Sequence, residues 1–179
     1  MMKIKTKLSV LLLIMITAFS CEDLDELTEF DITEDFTTTY NISVPEDSEG
    51  MPQSFSESAT IDIAENEEIQ DNLDLLQDVT LNSLSYEIAN FSGAQDATLT
   101  EATLNFGSVS ISISNINLQQ SDIDNTIYEI ADTSLLNAIA DALENNIAIN
   151  ASVTGTVSAT PVVFDIIINL DVTATVDVL

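Results

Sequence analysis

From Phe164 to Val178 every even position is apolar: Phe164, Ile166, Ile168, Leu170, Val172, Ala174, Val176 and Val178. The odd positions carry Asp165, Asn169, Asp171, Thr173, Thr175 and Asp177, with Ile167 the one interruption. A helix would scatter this set around its axis, whereas an extended strand gathers it onto one face. A strand this long, dry on one side and wet on the other, needs a second apolar layer to cover it. The odd face is read as the solvent side.

The same period of two recurs along the chain. Residues 36–44 alternate through Phe36, Thr38, Tyr40, Ile42 and Val44, and the next run through Phe55, Ala59, Ile61 and Ile63. The turn-rich segment Pro45–Pro52 separates them, which predicts a hairpin with a long connection. Val79–Phe91 is a strand with a parity change near Asn82-Ser83, a bulge signal. Leu99–Phe106 and Val109–Leu118 pair around Gly107-Ser108, with a second parity change near Ser114-Asn115. Ile147 to Ala159 alternates up to Pro161. Two segments switch to helical spacing. Ile69, Leu73 and Leu76 predict a short amphipathic helix over 66–77. Leu135, Leu136, Ile139, Ala140 and Leu143 predict another, with Asp132, Thr133 or Ser134 as its N-cap and Asn145-Asn146 at its end. The expected fold is mostly β: an antiparallel β-sandwich or strongly curled sheet, with two short amphipathic helices covering an open edge or end.

Charge narrows the function. The three bases, Lys3, Lys5 and Lys7, precede residue 8, and all 31 acids lie beyond residue 20. From residue 21 onward there is no Lys, Arg, His or Trp, and the net charge is about −31 at pH 7. Nucleic-acid binding requires cations against phosphates. A Ser-His-Asp triad requires histidine, and a Schiff base requires lysine. A typical zinc site requires Cys or His. None of these residues is on offer apart from Cys21.

The first twenty residues read as a targeting segment. Behind the three lysines, Leu8–Phe19 is uncharged and apolar, but its twelve residues fall short of the roughly 20 needed to span a bilayer. It closes on Ala18-Phe19-Ser20-Cys21. This resembles the lipobox of bacterial lipoproteins, which implies a type II signal peptide at 1–20 and lipidation of Cys21. The acid run Glu22–Asp35 (EDLDELTEFDITED) is similar to the export signal of Bacteroidota-type surface lipoproteins. The resemblance implies an outer-membrane, surface-exposed location. Such a run repels itself and is expected to act as an extended tether over 21–35, in which residues 22 to about 34 pack against nothing. A single β-rich domain is expected over 36–179.

Only oxygen ligands remain for a metal, so calcium is the candidate cation and no other cofactor is implied. Asp122, Asp124 and Asn125 place side-chain oxygens between a strand and a helix. Glu46, Asp47 and Glu49 form a second group, and Glu65, Glu67 and Glu68 a third. Each also reads as a solvated acidic loop. No catalytic residue is identified. The chain is expected to be a non-catalytic, lipid-anchored envelope or surface lipoprotein serving as a structural, adhesive or binding module. Its partners would be the membrane through the anchor and a protein, glycan or divalent cation. A carrier of an apolar ligand in a hollow under the sheet is the alternative, marked by an apolar cavity above about 300 Å³. A carboxylate-only glycoside hydrolase is the third, marked by two converging, half-buried acids.

Overall fold

The computed structural model describes residues 28–48 and 51–178. The targeting segment, Cys21 and Glu49 lie outside these residues. Eight strands form two antiparallel sheets: β1 (Glu29–Val44), β2 (Gln53–Asp62), β3 (Leu76–Gly93), β4 (Thr98–Phe106), β5 (Val109–Asn117), β6 (Ile127–Glu129), β7 (Ala148–Val157) and β8 (Val162–Asp177). Sheet A runs β1-β8-β3-β6 and sheet B runs β2-β7-β4-β5.

The pairing follows one rule. β4 pairs with β5, β3 with β6, β2 with β7 and β1 with β8, as in a single long hairpin bent at Gly107-Ser108. Wrapping that hairpin on itself adds the β3–β8 and β4–β7 pairs and closes the two sheets face to face. An eight-stranded antiparallel sandwich wound in this way is a jelly roll. The sandwich alternative of the sequence reading is therefore the fold.

Period two places the core. Phe164, Ile166, Ile168, Leu170, Val172, Ala174 and Val176 of β8 are all buried, against Ala151, Val153 and Val157 of β7 and Leu99, Leu104 and Phe106 of β4. The Phe55 ring meets Phe164 edge-on across the layers, with centroids 5.8 Å apart. Gly155, opposite Phe55 in the ladder, leaves room for that ring. A Cβ at Gly155 would come within 2.7 Å of it.

Several expectations are corrected. The domain begins at or before Glu29 rather than at residue 36, because β1 pairs with β8 from Glu29↔Asp177 onward. The expected free tether over 22–34 fails for its described part. Burying the acids would indeed be costly, but β1 is an edge strand and Glu29, Asp31, Glu34 and Asp35 all remain exposed while Ile32 is buried. The first two strands do not form a hairpin, since their connection crosses from sheet A to sheet B. The helix expected over 66–77 is shorter. Only α1 (Glu67–Asp71) is α-helical, between 3-10 turns at Ile63–Glu65 and Leu73–Leu75. Asp62 and Asn66 cap successive turns by accepting from the Ala64 and Ile69 amides, which restarts the backbone instead of continuing one helix.

The bulge near Asn82-Ser83 is present as a register shift between Leu81 and Ser83. Asn115 sits at positive φ where the second parity change falls. Two further elements, α2 (Leu118–Asp124) and β6, occupy what reads as loop in the sequence. The expected long helix is α3 (Thr133–Asn146), capped by Asp132, with Leu136, Ile139, Ala140 and Leu143 buried. The α2–β6–α3 segment packs mainly on β3 and also touches β5, closing the side of the sandwich between β5 and the part of β3 that β6 does not pair.

Candidate binding surfaces

The outer face of sheet A is a lattice of carboxylates held by neutral donors. Asp165 on the central strand accepts from Asn41 Nδ2 on β1 and Asn90 Nδ2 on β3, each at 2.7 Å. Asn82 Nδ2 donates to Asp171 Oδ1 and Thr173 Oγ1, both at 2.9 Å. Thr175 donates to Asp31 at 2.7 Å, Thr37 to Asn169 at 2.8 Å, and Thr33 and Thr173 share a hydroxyl bond of 2.9 Å. Hydrogen bonds to an ionised acceptor are among the stronger kind. Amides and hydroxyls thus do the cross-strand work that lysine or arginine does elsewhere. The odd face of β8 is half-buried by these neighbours, so the expected solvent side is a fastened lattice rather than a bare one.

The outer face of sheet B is almost uncharged. In ladder register, rows run Ser54–Thr156–Glu101–Ser114, Ser56–Thr154–Thr103–Ser112 and Ser58–Ser152–Asn105–Ser110. Strand geometry sets them about 4.8 Å apart across the sheet and about 6.7 Å apart along it. A shallow groove of about 420 Å³ crosses this face, with Glu101 its one carboxylate.

The acids singled out by sequence are dispersed. Asp122 and Asp124 lie on α2, where residues two apart point about 200° away from each other. Asn125 is that helix's C-cap at φ 49°, its amide bonded to the Asp122 carbonyl. The three therefore do not share a loop, which corrects that expectation. Asp47 Oδ2 accepts from the Met51 amide at 2.8 Å, and its own amide donates to Thr160 Oγ1 at 3.0 Å, while Glu46 is exposed. Glu65, Glu67 and Glu68 are exposed along the turn and α1. Among the described residues no group of three or more acids is placed to hold a metal ion.

An open groove of about 500 Å³ between β1 and the end of β2 gathers Glu34, Asp35, Asp62 and Glu65. Two of these acids have local structural work. Asp62 caps the Ala64 amide, and Glu34 accepts from Asn66 Nδ2 at 2.9 Å. A third open groove of about 300 Å³ lies between Asn82–Ser85 and Glu129–Ala131, bounded by Leu136. All three grooves are open to solvent; the first is lined mainly by polar side chains, and the other two mix polar and apolar ones in similar measure. The interior between the sheets is occupied by one continuous apolar cluster.

In sequence, the chain matches no family model and no curated protein. In structure, it is similar to the decameric BFDV capsid protein, at 9% identity and a TM-score of 0.42, over 81% of this chain and 99% of that one. It is also similar to the Desmodium yellow mottle tymovirus structure, at 12% identity and a TM-score of 0.35, over 84% of each chain. At these values neither likeness bears on function, and the fold assignment stands on the strand pairing.

Proposed function

We propose that this chain is a non-catalytic lipoprotein of the bacterial envelope or cell surface, anchored through Cys21, whose jelly roll serves as a structural, adhesive or binding module. The observation that carries the reading is Ala18-Phe19-Ser20-Cys21 closing a twelve-residue apolar segment. The early start of β1 adds to it. Eight residue steps separate Cys21 from Glu29, and a fully extended chain covers at most about 29 Å over that length. A domain tied so closely would present to the bilayer the end where β1 starts and β8 finishes. The β1–β2, β3–β4 and β7–β8 connections, at the opposite end, would face outward.

The surface chemistry suits adhesion or scaffolding. It repels anionic polymers and offers hydroxyls and amides to a glycan or a protein. A divalent cation such as calcium is the charged small partner it would attract. Metabolic labelling with a clickable fatty acid tests the anchor: the wild type takes the label and Cys21→Ser does not. Proteinase K applied to intact cells tests the location, and removal of the domain is expected. Equal labelling of both chains contradicts the anchor, and full protection contradicts surface display.

A further inference from the structure

We propose that the tip of the β1–β8 ribbon is a membrane-contact surface, where Phe30 and Val178 enter the boundary between headgroups and acyl chains of the bilayer that holds Cys21. The inference rests on the lipid anchor at Cys21. β1 and β8 stay paired as far as Glu29↔Asp177, and the Val178 amide donates to the Thr28 carbonyl at 3.1 Å. The next strand of the sheet, β3, meets β8 only up to Leu76↔Val176. The last residues of the ribbon therefore extend past the strand that flanks the rest of β8.

The apolar face of the ribbon runs off the end of the core. Phe30 is 37% exposed and Val178 53%, whereas Ile32 and Val176, one alternation inward on the same strands, keep 5% and 0%. These even-numbered side chains share the core-facing side of sheet A. Phe30 pairs with Val176, so Val178 is its diagonal neighbour, about 7–8 Å away across the ladder. Glu29, Asp31 and Asp177 alternate with them and point to the opposite side. The tip can thus bury an apolar pair and leave its own carboxylates in water.

The length of chain before β1 sets what lies against this pair. Cys21 is eight residue steps from Glu29, at most about 29 Å of extended chain, so the lipid-bearing residue and the tip reach the same bilayer surface. Two apolar side chains would hold a free protein on lipid only weakly. Behind so short a tether the encounter is intramolecular, and its effective concentration is high. Phenylalanine and aliphatic side chains of interfacial proteins settle at this same boundary. Asp74, in the turn that touches β8, and Asp78 on β3 are exposed near the tip, and they oppose close approach to anionic headgroups. The contact is therefore with the apolar boundary of the bilayer rather than with headgroup charge. A domain pinned at its tip as well as tethered would keep the β1–β2, β3–β4 and β7–β8 connections turned outward.

The chain has no tryptophan, so a substituted one reports alone. The test uses the full chain carrying its lipid, reconstituted in phosphatidylcholine vesicles with and without brominated acyl chains, and flotation of the vesicles gives the anchored fraction. Phe30→Trp is expected to shift its emission to the blue on reconstitution and to lose emission to brominated lipid. Met51→Trp, on the β1–β2 connection at the opposite end and 57% exposed, is expected to do neither. If Phe30→Trp melts below the parent chain, Val178→Trp carries the same expectation. A chain that floats with the vesicles while the tryptophan at position 30 or 178 stays in water leaves the anchor standing and overturns the contact. A chain that does not float overturns both. Equal quenching at positions 30 and 51 overturns the contact too. So does an emission already blue-shifted in the Cys21→Ser chain without vesicles. Present at every protein concentration, that shift would place Leu24 and Leu27 over the pair; present only at high concentration, a second copy.

Discussion

Tyr40 buries a phenolic oxygen for which no hydrogen-bond partner is present among the described residues. A buried donor left unmade carries most of its desolvation cost. Tyr40→Phe is expected to raise stability by about 1 kcal/mol in urea denaturation, and a loss of stability would show that the hydroxyl is satisfied in solution. Burial also pushes the Tyr40 phenol up to about 12, and the Tyr86 phenol likewise, with the Tyr128 ring stacked 4.9 Å away adding to the shift at Tyr86. A raised folded value favours the neutral phenol in the folded state. The stability it contributes is complete below the unfolded value near 10.0 and is lost as pH rises through 12. Circular dichroism should therefore fall between pH 10 and 12 together with the rise in tyrosinate absorbance, and Tyr40→Phe should move that transition upward. Gly155→Ala sets a methyl against the Phe55 ring and the Ala102 Cβ, at 2.7 and 2.9 Å. Overpacking of this kind is expected to cost about 1–3 kcal/mol, measurable as a lower melting temperature.

At the scale of elements, strands with a dry face were legible because period two survives any neighbour they pair with. Leu99–Phe106 and Val109–Leu118 fall within a residue of β4 and β5, and the Asn82-Ser83 bulge was visible as a parity change. Other features were hidden for physical reasons. β1 starts among acids because an edge strand can leave them in water, so charge density concealed the first part of the strand, residues 29–35, where only Ile32 is inside. β6 is too short to alternate. α2 reads as a loop because Asp122, Asp124 and Asn125 are turn formers, yet Leu118 and Ser121 are its buried residues. α3 was legible at both ends. Asp132 accepts from the Ser134 and Leu135 amides, so Asp132→Ala is expected to lower stability by about 1 kcal/mol, as the urea midpoint would report.

Across the whole molecule, the sequence revealed the absence of cations but not how the fold manages without them. Asn41, Asn82 and Asn90 read only as outward polar residues, because their contacts with Asp165 and Asp171 span 124, 89 and 75 positions. The sheet-B rows were visible as Ser and Thr but not as a face, since strand order was not legible. The molecule is a jelly roll held by its apolar core and by neutral donors, with the acids repelling one another throughout. No lysine, arginine or histidine among the described residues opposes that repulsion. It acts over about 8 Å at physiological ionic strength and about 3 Å at 1 M salt. Thermal melting across a sodium chloride titration, with calcium chloride at matched ionic strength alongside, tests this most directly. The melting temperature is expected to climb steadily with sodium chloride. A flat or falling response to sodium, or a rise that requires calcium, would contradict the account.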